Sequence, residues 1–256
     1  MKRVVFSFDD SRCDFYTRAY PILLSYKYPS TINVITGFIS GDRSISFPTS
    51  KHAISREELL KCYHSGMVEI ACHGSDHQNT RSDIEKNIVE LKEMGVNTDD
   101  IGFASPNSVV TWDNKNENGI WSLVEEGTLK YVRSGVQTRR EGCLYTIKSI
   151  VSRFTHWPRL FFSLNKHNII LSNRKNKQFL PSVSVYSYTT IKEIVGLVDK
   201  MPEDASIILM FHSILSKSDE EYGRDKYYWD LKKFESLCEC LRQLNILVCT
   251  TRDIVE

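Results

Sequence analysis

A charge excess, paired cysteines and long apolar runs are all missing from this sequence. Its 33 lysines and arginines nearly balance 32 acidic residues, and the formal net charge of +1 gives no sign of a basic face for nucleic acid. The seven cysteines are odd in number and scattered, with no C-x-x-C pair. This usage indicates reduced thiols in a cytosolic chain and argues against a disulfide scaffold.

No stretch approaches the ~18 apolar residues of a membrane-spanning helix. The first residues enter an apolar run directly, without the basic and apolar regions of a signal peptide. Unless the chain is trimmed, we expect no transmembrane segment and a cytoplasmic location, or a position against the inner face of a membrane. No nucleic-acid partner is expected, and no feature of the sequence indicates an oligomeric state.

What the chain has is ordinary globular composition, with 41% hydrophobic and 25% charged residues over 256 residues. Single α/β barrels reach this length. Strand-like and helix-like segments alternate along most of the chain, which predicts a parallel, barrel-like sheet. The alternation fails at about 153–180, where we predict an insertion within a single catalytic domain of residues 1–256. Residues 130–133 and 143–147 are predicted as further strands.

Four apolar segments with strand composition end in polar residues. Val4–Phe8 runs directly into Asp9 and Asp10, and the other three segments end at His73, at Pro106-Asn107 and at His212. Because carboxyl ends of parallel strands lie on one face of a barrel, we expect these groups to converge. Two adjacent acids need a positive partner, since both cannot ionise cheaply side by side. Our working hypothesis is that one holds a metal and the other moves a proton.

His73 and His77 are four residues apart, a spacing that places two imidazoles on one side of a helical turn. With one carboxylate they form a two-histidine, one-aspartate set, which suits zinc or a similar divalent ion. Two alternatives stay open: histidine pairs in polar loops are common without a metal, and His212 can be a core histidine bonded to backbone. We assign no functional role to the histidines at positions 52, 64, 156 and 167. The aromatic and basic stretch 153–167 is interpreted as core or as a substrate wall, with an interfacial patch on lipid as the alternative.

Taken in order, these motifs resemble those of the polysaccharide deacetylases, the NodB-homology or carbohydrate esterase family four group. Ser7-Phe8-Asp9-Asp10 is similar to their first motif. His73-Gly74-Ser75-Asp76-His77 resembles their second, H-[ST]-x-x-H, with Gly in place of Ser or Thr. Leu209-Met210-Phe211-His212 resembles their last, an apolar strand that ends in histidine. The likeness covers residues 3–110 and 205–253.

The resemblance implies a distorted (β/α) barrel of about seven parallel strands that removes an N-acyl group from an amino sugar. It implies that Asp10, His73 and His77 bind a divalent metal, with zinc favoured and cobalt, nickel or manganese as alternatives. It further implies that Asp9 is the general base and His212 the general acid. The backbone N–H of Asn107 would help to stabilise the oxyanion.

The third motif departs from the family pattern. Ala104-Ser105-Pro106-Asn107 stands where R-x-P-[YF] is usual, so the arginine that orients the base is absent there. The substrate expected from the resemblance is an N-acylated saccharide, lipid-linked or free. This departure keeps two alternatives open: a hydrolase of a non-sugar amide, such as a cyclic imide or formamide, and a non-catalytic binding protein with the same fold.

Overall fold

The computed structural model describes residues 1–41, 47, 50, 52–135 and 143–255. The strands are β1 (Arg3–Phe8), β2 (Ser30–Val34), β3 (Val68–Cys72), β4 (Phe103–Ala104), β5 (Val132–Ser134), β6 (Ile170–Leu171), β7 (Phe179–Pro181), β8 (Val183–Ser184), β9 (Ala205–Phe211), β10 (Ser213–Leu215), β11 (Tyr228–Asp230) and β12 (Leu247–Cys249). The α-helices are α1 (Tyr20–Tyr26), α2 (Thr36–Ser40), α3 (Arg56–His64), α4 (Arg81–Met94), α5 (Ile120–Glu125), α6 (Cys143–Thr155), α7 (Pro158–Asn165), α8 (Ile191–Asp199) and α9 (Leu231–Gln243).

A ring of parallel strands forms the centre of the fold. β1 to β5 pair in chain order, and β9 returns to pair with β1. The segment 179–184 nearly closes the ring, because β7 pairs with β5 and β8 pairs with β9. All of these pairs are parallel, so their carboxyl ends lie at one edge. The predicted distorted barrel of about seven parallel strands is confirmed, with β12 beside the start of β1 and β6 antiparallel to β9.

Side chains alternate between the inside of the barrel and the helices around it. On β1, Val4, Phe6 and Phe8 belong to the large core beneath the helices. Val5 instead packs in a second cluster with Ala71, Tyr131, Leu180 and Ile208. Because successive strand residues point to opposite faces, this second cluster fills the barrel interior. The next inward position beyond Ser7 is Asp9, at the carboxyl edge of the ring.

The helices begin where the sequence places capping residues. Ser55 opens α3 with a capping box: its side chain accepts from the Glu58 N–H at 3.2 Å, and Glu58 accepts from the Ser55 N–H at 2.9 Å. Thr190 and Glu193 repeat the arrangement at the start of α8. These pairs satisfy backbone donors that a helix leaves free, so local chemistry sets both starting points.

One predicted strand is wrong. Residues 143–147 lie in α6, which runs for 13 residues. Leu144 and Ile147 are three positions apart, and Val151 and Phe154 continue that helical period. Within 153–180 the structure has the end of α6, then α7, β6 and β7. That residues 1–256 form one domain with an insertion stays a prediction.

Within the described ranges, no helix has both the length and the apolar content needed to cross a membrane.

Candidate metal centre and catalytic cleft

A cleft of about 510 Å³ opens at the carboxyl edge of the barrel. This volume lies within the range of small-molecule sites. The cleft gathers all six residues that the sequence singled out, although they come from positions up to about two hundred residues apart: Asp9, Asp10, His73, His77, Asn107 and His212. Convergence of the strand ends is therefore observed. Additional lining comes from Arg12, Phe47, Tyr186, Met210 and Tyr227.

Three of these residues form a candidate metal site. Asp10 Oδ1 lies 3.3 Å from His73 Nε2 and 3.5 Å from His77 Nε2, and one ligand atom from each residue lies within 4.8 Å of the other two. Ligand atoms held at about 2.0–2.1 Å in a tetrahedral zinc site are roughly 3.3–3.4 Å apart. The observed separations therefore fit one small divalent ion among the three atoms.

The orientation of His73 also fits a cation. Its Nδ1 lies 2.8 Å from the carbonyl oxygen of Ala104 and donates to it, so that Nε2 faces Asp10. That Nε2 must carry a proton or hold a cation, because a bare lone pair would oppose the carboxylate. Burial opposes charging of His73, but Asp9 and Asp10 outweigh it and raise the pKa of the imidazole. The site thus favours positive charge at this point.

The two histidines meet through an irregular loop, which corrects the expected helical turn. Gly74 and His77 both have positive φ, 81° and 58°. Asp83, in the first turn of α4, accepts from the backbone N–H of Asp76 at 2.8 Å and of Gln78 at 2.9 Å. Asn87 accepts from the N–H of His73 at 3.2 Å. The N-terminal half of α4 therefore holds the loop.

This loop also explains why Gly replaces the usual Ser or Thr of the second motif. A Cβ on Gly74 would lie 2.3 Å from Asp83 Oδ2, and its φ of 81° is unfavourable for L-residues.

Burial lowers the pKa of His77 to about 4, with His73 beside it acting in the same direction. His77 is therefore held neutral at ordinary pH, which is the ligating form.

Asp10 has a second partner that the sequence analysis missed. Arg12 donates to Asp10 Oδ2 from Nε at 3.1 Å and from Nη2 at 2.7 Å, while Oδ1 faces the histidines. Both side chains are almost fully buried. Burial by itself would raise the pKa of Asp10, but Arg12 and His73 hold it well below its usual range. The carboxylate is thus fixed in its ionised form, with Oδ2 bound to Arg12 and Oδ1 directed at the histidines.

Asp9 has an arginine partner as well, although Ala104 occupies the motif-three position. Arg133 on β5 donates from Nη2 to both Asp9 oxygens, at 2.6 and 2.8 Å. Asn33 donates to Asp9 Oδ1 at 2.7 Å. Burial opposes ionisation, but Arg133 together with His73 and His212 outweighs it and lowers the pKa of Asp9. Asp9 is thus ionised and oriented from two sides.

The position of Arg133 explains the missing motif. Ala104 and Arg133 are register partners on β4 and β5, so their side chains lie side by side on the same inward face. The small side chain at 104 leaves room for the guanidinium to reach Asp9 from the next strand. No local pattern identified this residue, because it lies 124 positions from its partner. Its only sequence signal was a cation at the end of a short predicted strand.

His212 follows β9 and lies against Tyr227, with ring centroids 5.0 Å apart. Its Nδ1 is buried and has no hydrogen-bond partner among the described residues. Burial lowers the pKa of His212. Asp10 acts to raise this pKa, whereas Arg12 acts to lower it. The alternative that His212 is a core histidine bonded to backbone thus fails at Nδ1.

Asn107 lies at the rim of the cleft, directly after the motif-three proline. Its φ of 53° and that of Ser108, 54°, are both left-handed. Such backbone strain in a non-glycine residue persists where surrounding structure enforces it, often at functional sites. The side chain is exposed, and the residue contributes to the wall of the cleft.

Comparisons with known proteins agree with the fold and the motifs. The family model described as polysaccharide deacetylase matches residues 1–113. A poly-beta-1,6-N-acetyl-D-glucosamine N-deacetylase of Staphylococcus aureus is 30% identical over 95 residues, which are 37% of this chain and 31% of that protein. The chain thus spans about a third of the length of the curated relatives it matches. The family-model match covers the first two motifs, including both acids and both histidines.

Solved structures extend the likeness to the whole barrel. The Xyl-CE4 domain of a multidomain xylanase from the hindgut metagenome of Trinervitermes trinervoides superposes with a TM-score of 0.54 at 14% identity, covering 99% of this chain and 89% of that one. A mutant of a CE4 family pseudoenzyme with restored activity gives 0.50 at 8% identity, covering 100% and 68%. At such identities the likeness concerns the fold alone. Together with the family model, it confirms the predicted resemblance to the polysaccharide deacetylase superfamily.

Proposed function

We propose that this protein is a metal-dependent hydrolase that removes an N-acyl group, in the first instance acetyl, from an amino sugar in a glycan or glycan precursor. The observation that carries the proposal is the convergence of Asp10, His73 and His77 beside Asp9 and His212 in one cleft. The family-model match and the named activity of the Staphylococcus aureus relative support the same reaction class. We further propose that residues 1–256 form one catalytic domain.

Asp10, His73 and His77 would hold the metal. Zinc is the favoured ion for two imidazoles and one carboxylate, with cobalt, nickel or manganese as alternatives. When bound, a divalent cation supplies Lewis-acid polarisation of the acyl carbonyl and makes a water molecule more acidic. Arg12 keeps Asp10 ionised by holding Oδ2, so that Oδ1 stays directed at both histidines.

The remaining cleft residues would carry the proton transfers. Asp9 accepts a proton from the attacking water, and Arg133 with Asn33 keeps its carboxylate ionised and correctly turned. His212 donates a proton to the leaving nitrogen, so that the amine departs uncharged. The backbone N–H of Asn107 stabilises the negative oxygen of the tetrahedral intermediate from the rim.

The cleft chemistry favours a saccharide over a purely apolar amide. Tyr186 and Tyr227 line it with rings 5.8 Å apart, and Asp225 and Ser184 add polar groups around them. Aromatic walls with a few placed polar groups are typical of sites that orient small polar ligands. The presence of Arg133 beside Asp9 also removes the main motive for the two alternatives, a non-sugar amide hydrolase and a non-catalytic binding protein.

The test combines metal content with acetate release. The purified protein is expected to hold one divalent ion per chain by elemental analysis and to release acetate from N-acetylated glucosamine oligosaccharides. His77→Ala should lower both the metal content and turnover, the latter by more than about 100-fold. His64→Ala, in the last turn of α3, is the matched control and should change neither. A His77→Ala variant as active as the parent would refute the proposal.

A further inference from the structure

Helix α6 has its polarity inverted relative to the other surface helices. Ser152 is its buried residue, and Ser149 beside it turns toward the protein. Both line a cavity of about 220 Å³ together with the buried polar side chains of Asn168 and Glu193. The side of α6 that faces the protein is therefore polar.

The opposite side of α6 is apolar and exposed. We call this surface the apolar ridge; it consists of Leu144, Ile147, Ile150, Val151, Phe154 and, just beyond the helix, Trp157. Phe154 has an exposed fraction of 80% and Trp157 of 54%. At 100° per residue, the five helical members fall on one continuous stripe. In α9 the equivalent stripe is buried in the core, as Phe234, Leu237 and Leu241 show. A contiguous exposed stripe of this kind marks an interaction surface.

The chain segment that contains the apolar ridge carries charge of one sign. No Asp or Glu occurs between Gly142 and Lys192, although the chain as a whole has 32 acidic residues. The same stretch carries eight cations, of which Lys148, Arg153, Arg159 and Lys166 lie on α6, on α7 or directly after it. Arg174, Lys175 and Lys177 lie at the opposite end of the barrel, near Arg3 and Val255. A partner that fits this surface offers an apolar layer to the ridge and negative charge to the neighbouring cations. An anionic lipid bilayer has that profile.

We propose that the apolar ridge docks on the surface of an anionic lipid bilayer. The 13 residues of α6 span about 20 Å, well short of the roughly 30 Å of a hydrocarbon core, so the helix lies in the plane of the interface. Phe154 and Trp157 enter the headgroup boundary, where aromatic side chains are favoured. Lys148 and Arg159 remain among the anionic headgroups.

Docking in this way would bring the catalytic cleft close to the lipid. The cavity beneath α6 shares Gly135, Ser184 and Tyr186 with the cleft, so the two are neighbours on one side of the barrel. A saccharide held at the membrane surface, such as a lipid-linked glycan, would then reach the cleft. The docking itself does not rest on the proposed activity, because it concerns a separate surface and is measured without any saccharide.

The test is co-sedimentation with vesicles of phosphatidylcholine alone and of phosphatidylcholine with phosphatidylglycerol. The parent should bind the anionic vesicles, with an affinity that falls as salt is raised. The variant Ile147→Asp/Phe154→Asp should lose about 100-fold in affinity, taking about tenfold for each large apolar side chain. The matched control is Leu24→Asp/Val89→Asp, which alters two exposed apolar residues on α1 and α4 and should bind like the parent. Lys148→Glu/Arg159→Glu should weaken binding to the anionic vesicles.

Three outcomes would overturn the inference. The first is a parent protein that binds neither kind of vesicle. The second is undiminished binding by Ile147→Asp/Phe154→Asp in a variant with the circular dichroism spectrum of the parent. The third is a dimer in light scattering that this double variant dissociates, without vesicle binding by the parent, since the apolar ridge would then be an interface between two copies of the chain.

Discussion

The pairing of Arg133 with Asp9 leads to a quantitative expectation for stability. Both side chains are nearly excluded from solvent, and one guanidinium nitrogen contacts both carboxylate oxygens. Arg133→Met leaves the Asp9 charge buried without its counter-ion, which should cost about 3–5 kcal/mol of unfolding free energy. Asp9→Asn/Arg133→Met removes both charges and should cost clearly less than the sum of the two single changes, a coupling of at least about 2 kcal/mol.

Urea denaturation followed by circular dichroism measures these four free energies. The matched control is Arg81→Met, because Arg81 pairs with Glu126 at the surface, where both side chains are about half exposed. An exposed pair is worth about 1 kcal/mol or less, so that variant should be nearly as stable as the parent. Additive losses for the two buried residues would refute the account, because they would mean that Asp9 and Arg133 do not stabilise each other.

The same pair has a consequence for activity. Arg133→Ala should lower turnover on an N-acetylated saccharide by about 100-fold, because the Asp9 carboxylate is then no longer held in the orientation that proton transfer requires. Ala104→Arg/Arg133→Ala returns the arginine to the usual motif-three position on the neighbouring strand, and should recover part of that loss. If the double variant is folded but turns over no faster than Arg133→Ala, an arginine at position 104 cannot replace Arg133.

Two further changes test the supports of the site. Gly74→Ala should lose more stability than Gly66→Ala, by about 1–3 kcal/mol, because both glycines have positive φ but only Gly74 has a neighbour, Asp83, where the Cβ would be placed. Burial raises the pKa of Asp14 from 3.8 to about 6, against the hydrogen bond from the Ile214 N–H. The folded state therefore keeps this proton longer, and stability should fall as pH rises from about 4 to about 6, by about 3 kcal/mol. Thermal melts at several pH values should show that stability falls less in Asp14→Asn than in the parent over this range; an unchanged slope would contradict the assignment.

Much of the site could be predicted because its residues are attached to strands with strong local patterns. Asp9 and Asp10 follow an apolar run, and His212 follows another, so parallel pairing brings them to one edge regardless of the intervening chain. His73 and His77 were found from their spacing, although a loop held by Asp83, and not a helical turn, brings them together. Their catalytic and metal-binding roles remain predictions.

The errors have a common cause, which is that short segments carry little periodic information. Cys143–Ile147 has a strand-like composition over five residues, and only the continuation through Val151 and Phe154 shows the helical period. The sequence of 153–167 indicates core or a substrate wall, with an interfacial patch on lipid as the alternative. Phe161 and Phe162 do pack against the core, whereas Phe154 and Trp157 are exposed. A pattern can show that a helix is amphipathic, but it does not show which side the rest of the fold covers.

The sequence by itself determined the class of fold, the two acids, the three histidines and the resemblance that they carry, because each depends on residues close together in the chain. Only the tertiary structure decided which cations compensate the charges of the two acids. Arg133 on β5 reaches Asp9, at the end of β1, through the interior of the barrel. Arg12 binds the neighbouring Asp10, and this contact is also buried. Electrostatic partners act through space, over a few ångströms, so a residue 124 positions away can replace an arginine absent from its usual motif.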